Sequence, residues 1–327
     1  MRTSATVNGK PGKKVDRLLA DSTTVGEAAF LILHAELEKF LALEPQVITS
    51  EDPETVHQVR VAARRMRAAM KTLAAFMPKA VSGLEPELRW LFRHLGDVRD
   101  LDVELAALEE WVKAHEGQTG MAEIFGRLQK ERSKKKAVLI EQMQSSRHEE
   151  LVEKLKSGIR KGPPTAGLGA SPLLAVAPDL IVRHGKIVRD LSDKIGGSAP
   201  PEAYHRLRRA AKKFRYTLDF FAELYGQDAD RLIERLKELQ DILGARQDAL
   251  ILGARLRDLS YEEGLSKEAR ETLKEAMESC SEKVENQEDE FKDAISNLFG
   301  KRWKDLKQAM TEKRRDLWAP AKVTSRT

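Results

Sequence analysis

The sequence predicts an all-α protein: two tandem antiparallel four-helix bundles that repeat one another. Three observations predict it. Ala, Leu, Glu, Lys and Arg dominate and aromatics make up only 6% of residues, a mixture that favours helix. No segment sustains the apolar–polar alternation of an amphipathic strand. A pattern of basic residues recurs at a constant offset of 148 positions, and self-similarity at a fixed offset marks a repeat.

The first unit, residues 22–161, reads as four helices: Val25–Leu43, Pro53–Phe76, Pro86–Val112 and Met121–Ile159. Pro53 follows Asp52 at a plausible helix start, and Asp52 and Glu54 suit the positive end of the dipole. Pro78 helps to stop the second helix. The fourth helix is highly charged, yet Ile124, Leu128, Leu139 and Met143 keep a helical spacing. Residues 162–172 carry the glycines and prolines of a linker and interrupt helix propagation. The second unit, residues 173–317, repeats the order near Leu174–Lys194, Pro201–Tyr225, Asp228–Leu259 and Lys267–Leu298. Gly196, Gly197 and Gly226 mark breaks, and a short helix closes the unit at Lys301–Leu317. Residues 1–21 read as a basic arm and 318–327 as a weakly ordered tail. Long helices with short connections imply antiparallel bundles.

A chain of 327 residues with 33% charged residues and a net charge of +5 is charge-rich and globular, with its positive charge sorted rather than overwhelming. That balance permits nucleic acid, anionic lipid or polyphosphate as partners. Cys280 is the single cysteine, so no internal disulfide forms and a cytoplasmic location is expected. The first residues lack the apolar core of a secretory signal. No apolar run reaches the roughly 18 residues needed to span a bilayer, so no membrane association is expected. Oligomeric state has no signature here.

The repeated pattern is cationic. His57, Arg60, Arg64, Arg65 and Arg67 share their spacing with His205, Arg208, Lys212, Lys213 and Arg215. Most of these positions follow a helical period and share one broad face. Lys71 continues the first track and Arg209 widens the second. Neither stretch holds a carboxylate, and close like charges cost energy unless an anion meets them. Neighbours three or four residues apart lie about 5–6 Å from each other, a spacing suited to a linear polyanion. Arginine offers phosphate a planar fork, lysine a movable point charge. The competing reading is a solvated face salt-bridged to the many glutamates. Val59, Val61, Ala62, Met66 and Leu73 are expected in the core beneath the first track, and Leu207, Phe214, Leu218 and Phe221 beneath the second.

The offset also aligns Leu95-Gly96 with Leu243-Gly244 and Asp100 with Asp248. Gly96 and Gly244 suit close packing, and the two aspartates suit capping or orienting basic side chains. Arg99 and Arg246 could reach the anion. Lys301, Arg302, Lys304 and Lys307 could form a basic rim or an ordinary solvated face. Catalysis has little support. His94, His115, His148 and His184 are scattered, Cys280 has no local metal companions, and no phosphate-cradling or dinucleotide-binding loop is present. Glu109-Glu110 and Glu149-Glu150 read as solvated faces. The chain is expected to be no enzyme and to need no cofactor or metal.

His57-x-x-Arg60-x-x-x-Arg64-Arg65-x-Arg67 resembles the first signature of the CHAD family, the conserved-histidine α-helical domain. His205-x-x-Arg208-x-x-x-Lys212-Lys213-x-Arg215-Tyr216 resembles the second, and the Leu-Gly segments fit as well. The resemblance spans about residues 20–317. It implies two four-helix bundles related by an internal pseudo-twofold duplication, with a basic groove or pore between them. It also implies binding of inorganic polyphosphate and association with polyphosphate granules. His57, Arg60, Arg64, Arg67, His205, Arg208, Lys212 and Arg215 are then the leading contacts, with Arg65 and Lys213 beside them. Some family members add a triphosphate-tunnel enzyme domain, for which this sequence leaves no room. A nucleic-acid-binding helical scaffold is the competing function, although few aromatics are available to stack bases.

Overall fold

A computed structural model describes residues 19–20, 23–115, 120–196, 199–285 and 288–317. Of the expected arm at 1–21 only Leu19 and Ala20 are described. Gly197 and the tail at 318–327 lie outside the described residues. All regular structure among them is helical: α1 Val25–Thr49, α2 Pro53–Thr72, α3 Lys79–Ser82, α4 Glu85–Ala114, α5 Met121–Met143 and α6 Ser146–Arg160 come first. There follow α7 Leu173–Ser192, α8 Pro201–Tyr225, α9 Gln227–Ser260, α10 Lys267–Glu285, α11 Glu288–Leu298 and α12 Lys301–Leu317.

Local chemistry sets the boundaries. Thr24 caps α1 in a reciprocal box with Glu27, satisfying two orphan amide donors. Asp52 accepts from the Glu54 amide at 2.9 Å, and Pro53 opens α2. The chain departs from the expected elements in four places. The first helix runs on through Pro45 to Thr49, with Val47 fully buried at its end. The second stops at Thr72, and Ala74–Phe76 tighten into a 3-10 turn. The expected fourth helix is broken at Ser145, whose side chain caps α6; the corresponding stretch of the second half divides into α10 and α11. Charge-rich periodicity hides such breaks, because a cap changes few residues.

Repetition is visible in the backbone. α7 and α8 begin at 173 and 201, each 148 residues after the starts of α1 and α2. Just before α1 and α7 the chain pairs with itself. The Val25 amide donates to the Ser171 carbonyl and the Leu173 amide to the Thr23 carbonyl, both at 2.9 Å. Thr24 and Pro172, also 148 apart, form the antiparallel bridge between them. This exchange of equivalent bonds is what an internal twofold produces.

One apolar cluster runs from α1 through α2 and α4 to α7, α8, α9 and α12. It includes Val59, Ala62, Met66 and Leu73 below the first basic track and Leu207, Phe214, Leu218 and Phe221 below the second. Val61, expected in the core, is half-buried. The halves thus share an interior, and α2 packs directly on α8. Residues 162–172 pack as well: Gly169 is buried, and a Cβ on Gly26 would lie 2.8 Å from its carbonyl oxygen. A second cluster joins the far ends of α4 and α9 to α5 and α10 through Leu108, Trp111, Ile124, Leu128, Leu256 and Leu273.

Candidate anion-binding cavity

Between the two clusters, α2, α4, α8, α9 and α10 enclose a cavity of about 420 Å³. His57, Arg60 and Arg64 line it from α2, Arg99 from α4, Arg208 and Lys212 from α8, and Lys283 from α10. Both copies of the basic track therefore meet in one space. Three carboxylates, Asp100, Glu104 and Asp248, also reach it, against six Lys and Arg side chains.

Arg60 and Arg208 make the same approach in each half. Arg60 Nε lies 3.7 Å from where a Cβ on Gly96 would stand, and Arg208 Nη2 lies 3.9 Å from the corresponding point on Gly244. The Leu-Gly repeats thus lie beneath the arginines. At those distances a methyl group would make ordinary contact, so glycine is compatible with the approach without being demanded by it. Arg208 leans on Asp248 at 3.6 Å. Among the described residues His57, Arg60, Arg64, Arg99 and Lys212 make no close ion pair. The Nε atoms of Arg60, Arg64 and Arg208 are buried without a hydrogen-bond partner.

Crowding of like charge shows in the proton affinities. Burial, then Arg208, Arg64 and Arg60, push the Lys212 ammonium down to about 7. Burial, then Arg64, lowers Arg60; burial, then Arg215 and Arg208, lowers Arg64. Both stay cationic at neutral pH. Burial and Arg99 hold His57 below the ordinary histidine range. Burial lifts Glu104 to about 7. An anion entering here would reverse much of the cationic penalty.

Other expected residues turn elsewhere. Arg65 pairs with Glu36 at 2.7 Å and with Asp219 at 3.5 Å. Arg67 and Lys71 meet Glu85 at 2.9 and 3.2 Å. Arg215 binds Asp219 at 3.3 Å and the Gln240 side-chain oxygen at 2.9 Å. These four serve carboxylate networks at the helix crossings. His205 is exposed, with Nδ1 3.1 Å from the Gln247 side-chain oxygen. Arg209 and Lys213 are exposed and do not line the cavity; burial, then Arg183 and Lys71, lowers Lys213. Arg246 stacks 4.2 Å from the Tyr204 ring centre and donates to the Val284 carbonyl. Lys301, Arg302, Lys304 and Lys307 do not line the cavity; Arg302 faces Asp305 at 3.8 Å, and Lys307 lies 5.7 Å from the Trp303 ring centre.

The sequence reading missed Glu104 and Lys283. Neither belongs to the repeated track, and Leu252 stands at the position matching Glu104. The competing reading of salt bridges holds for Arg65, Arg67, Lys71 and Arg215, but the sequence did not single out their partners, since Glu36, Glu85 and Asp219 lie on other helices or other turns.

A CHAD-domain family profile matches residues 31–257. Two uncharacterized proteins of Mycobacterium tuberculosis, from strains CDC 1551 / Oshkosh and H37Rv, are each 28% identical over 222 residues, 64% of this chain. The chain spans only 41% of the length of those relatives. The crystal structure of the CHAD domain from the plant Ricinus communis superposes with a TM-score of 0.74 at 26% identity, covering 86% of this chain and 94% of that one. PptA from Streptomyces chartreusis superposes with a TM-score of 0.67 at 18% identity, covering 83% and 99%, and speaks for the fold alone. With the profile spanning more than half of the sequence and the fold recurring in a solved CHAD domain, this chain belongs to the CHAD-domain family.

Proposed function

We propose that the chain binds inorganic polyphosphate without cleaving it, gripping it in the cavity between two four-helix halves, 22–161 and 173–317. One observation carries this reading: Arg60, Arg64 and Lys212, drawn from both copies, converge on one space with no close carboxylate partner among the described residues. Their mutual repulsion is relieved once phosphate oxygens stand between them. His57, Arg99 and Arg208 complete the first contacts, and Arg65, Arg67, Lys71 and Arg215 act as supports. Exposed Arg209, Lys213 and His205 would extend the track outside the cavity. The expected role is to target the protein to cytoplasmic polyphosphate granules or to organise them.

Competition at matched ionic strength between long-chain polyphosphate, duplex DNA, RNA and pyrophosphate tests the reading. Long polyphosphate should win, its affinity should fall as salt rises, and its chain length should stay unchanged on incubation. Equal binding of every polymer would reduce the site to a generic polyanion surface and favour the nucleic-acid scaffold. Phosphate release by protein free of contaminating enzymes would overturn the noncatalytic part.

A further inference from the structure

Among the described residues Arg60 and Arg64 have no close carboxylate partner, yet they are held. The Arg60 guanidinium carbon lies 4.3 Å from the Phe92 ring centre, and that of Arg67 lies 4.8 Å from the same ring. The Arg64 guanidinium carbon lies 5.6 Å from the Tyr216 ring centre, and that of Arg215 lies 4.9 Å from it. Each ring therefore serves two arginines. One of each pair lines the cavity; the other is tied to a carboxylate, Arg67 to Glu85 and Arg215 to Asp219. Phe92 is half-buried on α4 and Tyr216 is buried on α8. The two rings are not copies of one another. Gln240 stands at the position matching Phe92, and Ala68 at the position matching Tyr216. The same device is built twice from unrelated positions.

A flexible cation can be held by a carboxylate or by a ring face. A carboxylate neutralises the charge and occupies the donor fork. A ring face attracts the cation through its quadrupole and leaves the in-plane N–H groups free. We propose that Phe92 and Tyr216 are positioning residues, plates that hold Arg60 and Arg64 across the cavity with charge and donors available to phosphate. The proposal deepens the polyphosphate reading and rests on it. It assigns these aromatics a role other than stacking bases.

Four variants test it: Phe92→Leu, Phe92→Tyr, Tyr216→Leu and Tyr216→Phe. Polyphosphate affinity is measured across a salt series, and the Nε–H signals of Arg60 and Arg64 are followed by NMR in the free protein. The leucine variants should bind roughly three- to tenfold more weakly, because the arginines must be ordered at binding. The slope of affinity against salt should stay at the wild-type value, since no charge is lost. Phe92→Tyr and Tyr216→Phe should bind like wild type. In the free wild type, both Nε–H signals should be shifted by the neighbouring ring, and each shift should vanish in the matching leucine variant. Unshifted wild-type signals overturn the plates whatever the ligand. So do leucine variants with wild-type affinity, and so does a Tyr216→Phe loss equal to that of Tyr216→Leu. Shifted signals in a protein that ignores polyphosphate would instead reject the ligand while the plates stand. Should a leucine variant fail to fold, the wild-type spectrum and the two conservative variants still decide.

Discussion

Arg60 and Arg208 sit at matched positions over matched glycines, yet their surroundings differ. Arg60 rests on Phe92 and has no close ion pair among the described residues, with Asp100 acting on it from farther away. Arg208 leans directly on Asp248, and the position matching Phe92 is Gln240, which accepts from Arg215 instead. Next along the track, the first half offers Arg64 and the second offers Lys212, whose proton is held only to about 7. His57 faces the cavity beside Arg99, whereas His205 is exposed beside Gln247. The repeat has kept the approach of each arginine to its glycine and let the flanking groups drift. The first half therefore presents permanent, uncommitted charge, and the second presents charge that is shared or titratable.

This asymmetry can be broken or sharpened by measurement. The largest effect should come from Arg64→Glu, which removes a charge-assisted contact, about 1.5–3 kcal/mol, and adds repulsion. Polyphosphate affinity should drop by about 100-fold or more while the circular dichroism spectrum keeps its helical form. Next, Arg60→Ala should weaken binding about tenfold and Arg208→Ala only about threefold, since Asp248 already shares the latter charge; each should lower the salt slope by about 1. Equal losses at the two sites would erase the distinction between the halves. Third, affinity should fall as pH rises through about 7. Lys212 would hold phosphate in its protonated form and loses that proton over this range, while Glu104, lifted to about 7, gains a negative charge. Both changes oppose an anion, and a bound phosphate chain shifts the Lys212 step upward. Lys212→Arg with Glu104→Gln should flatten the profile; a wild-type profile already flat between about pH 6 and 8.5 would refute it. The smallest binding effect should be at Arg65→Met, within about twofold. Its cost falls on stability, about 1–3 kcal/mol in urea unfolding, because Glu36 and Asp219 lose a partner.

Helical class, most helix positions and the duplication were legible in the sequence because all three are periodic. The cavity-facing residues of α2 were legible for the same reason: His57, Arg60 and Arg64 follow successive turns. What escaped was everything set by contacts distant in sequence. Arg65 and Arg67 stand on the same track, but Glu36 precedes Arg65 by 29 residues and Glu85 follows Arg67 by 18, spacings that no helical period links. The resemblance named the basic track without separating the residues that line the cavity from those paired with carboxylates. Shared packing of the halves was equally hidden, because an apolar stripe states that a face is covered and not by what.

That shared interior bears on how the cavity could exist at all. A single repeat made alone would turn toward water the flank of α2 that now lies against α8, together with half of the residues around the cavity. Such a fragment should associate with its twin about a true symmetry axis, and its site would thin out on dilution as the pair came apart. Joining the two copies in one chain makes both walls present together in every molecule, however scarce the protein. It also frees each wall to change its residues independently, as Arg64 and Lys212 have done.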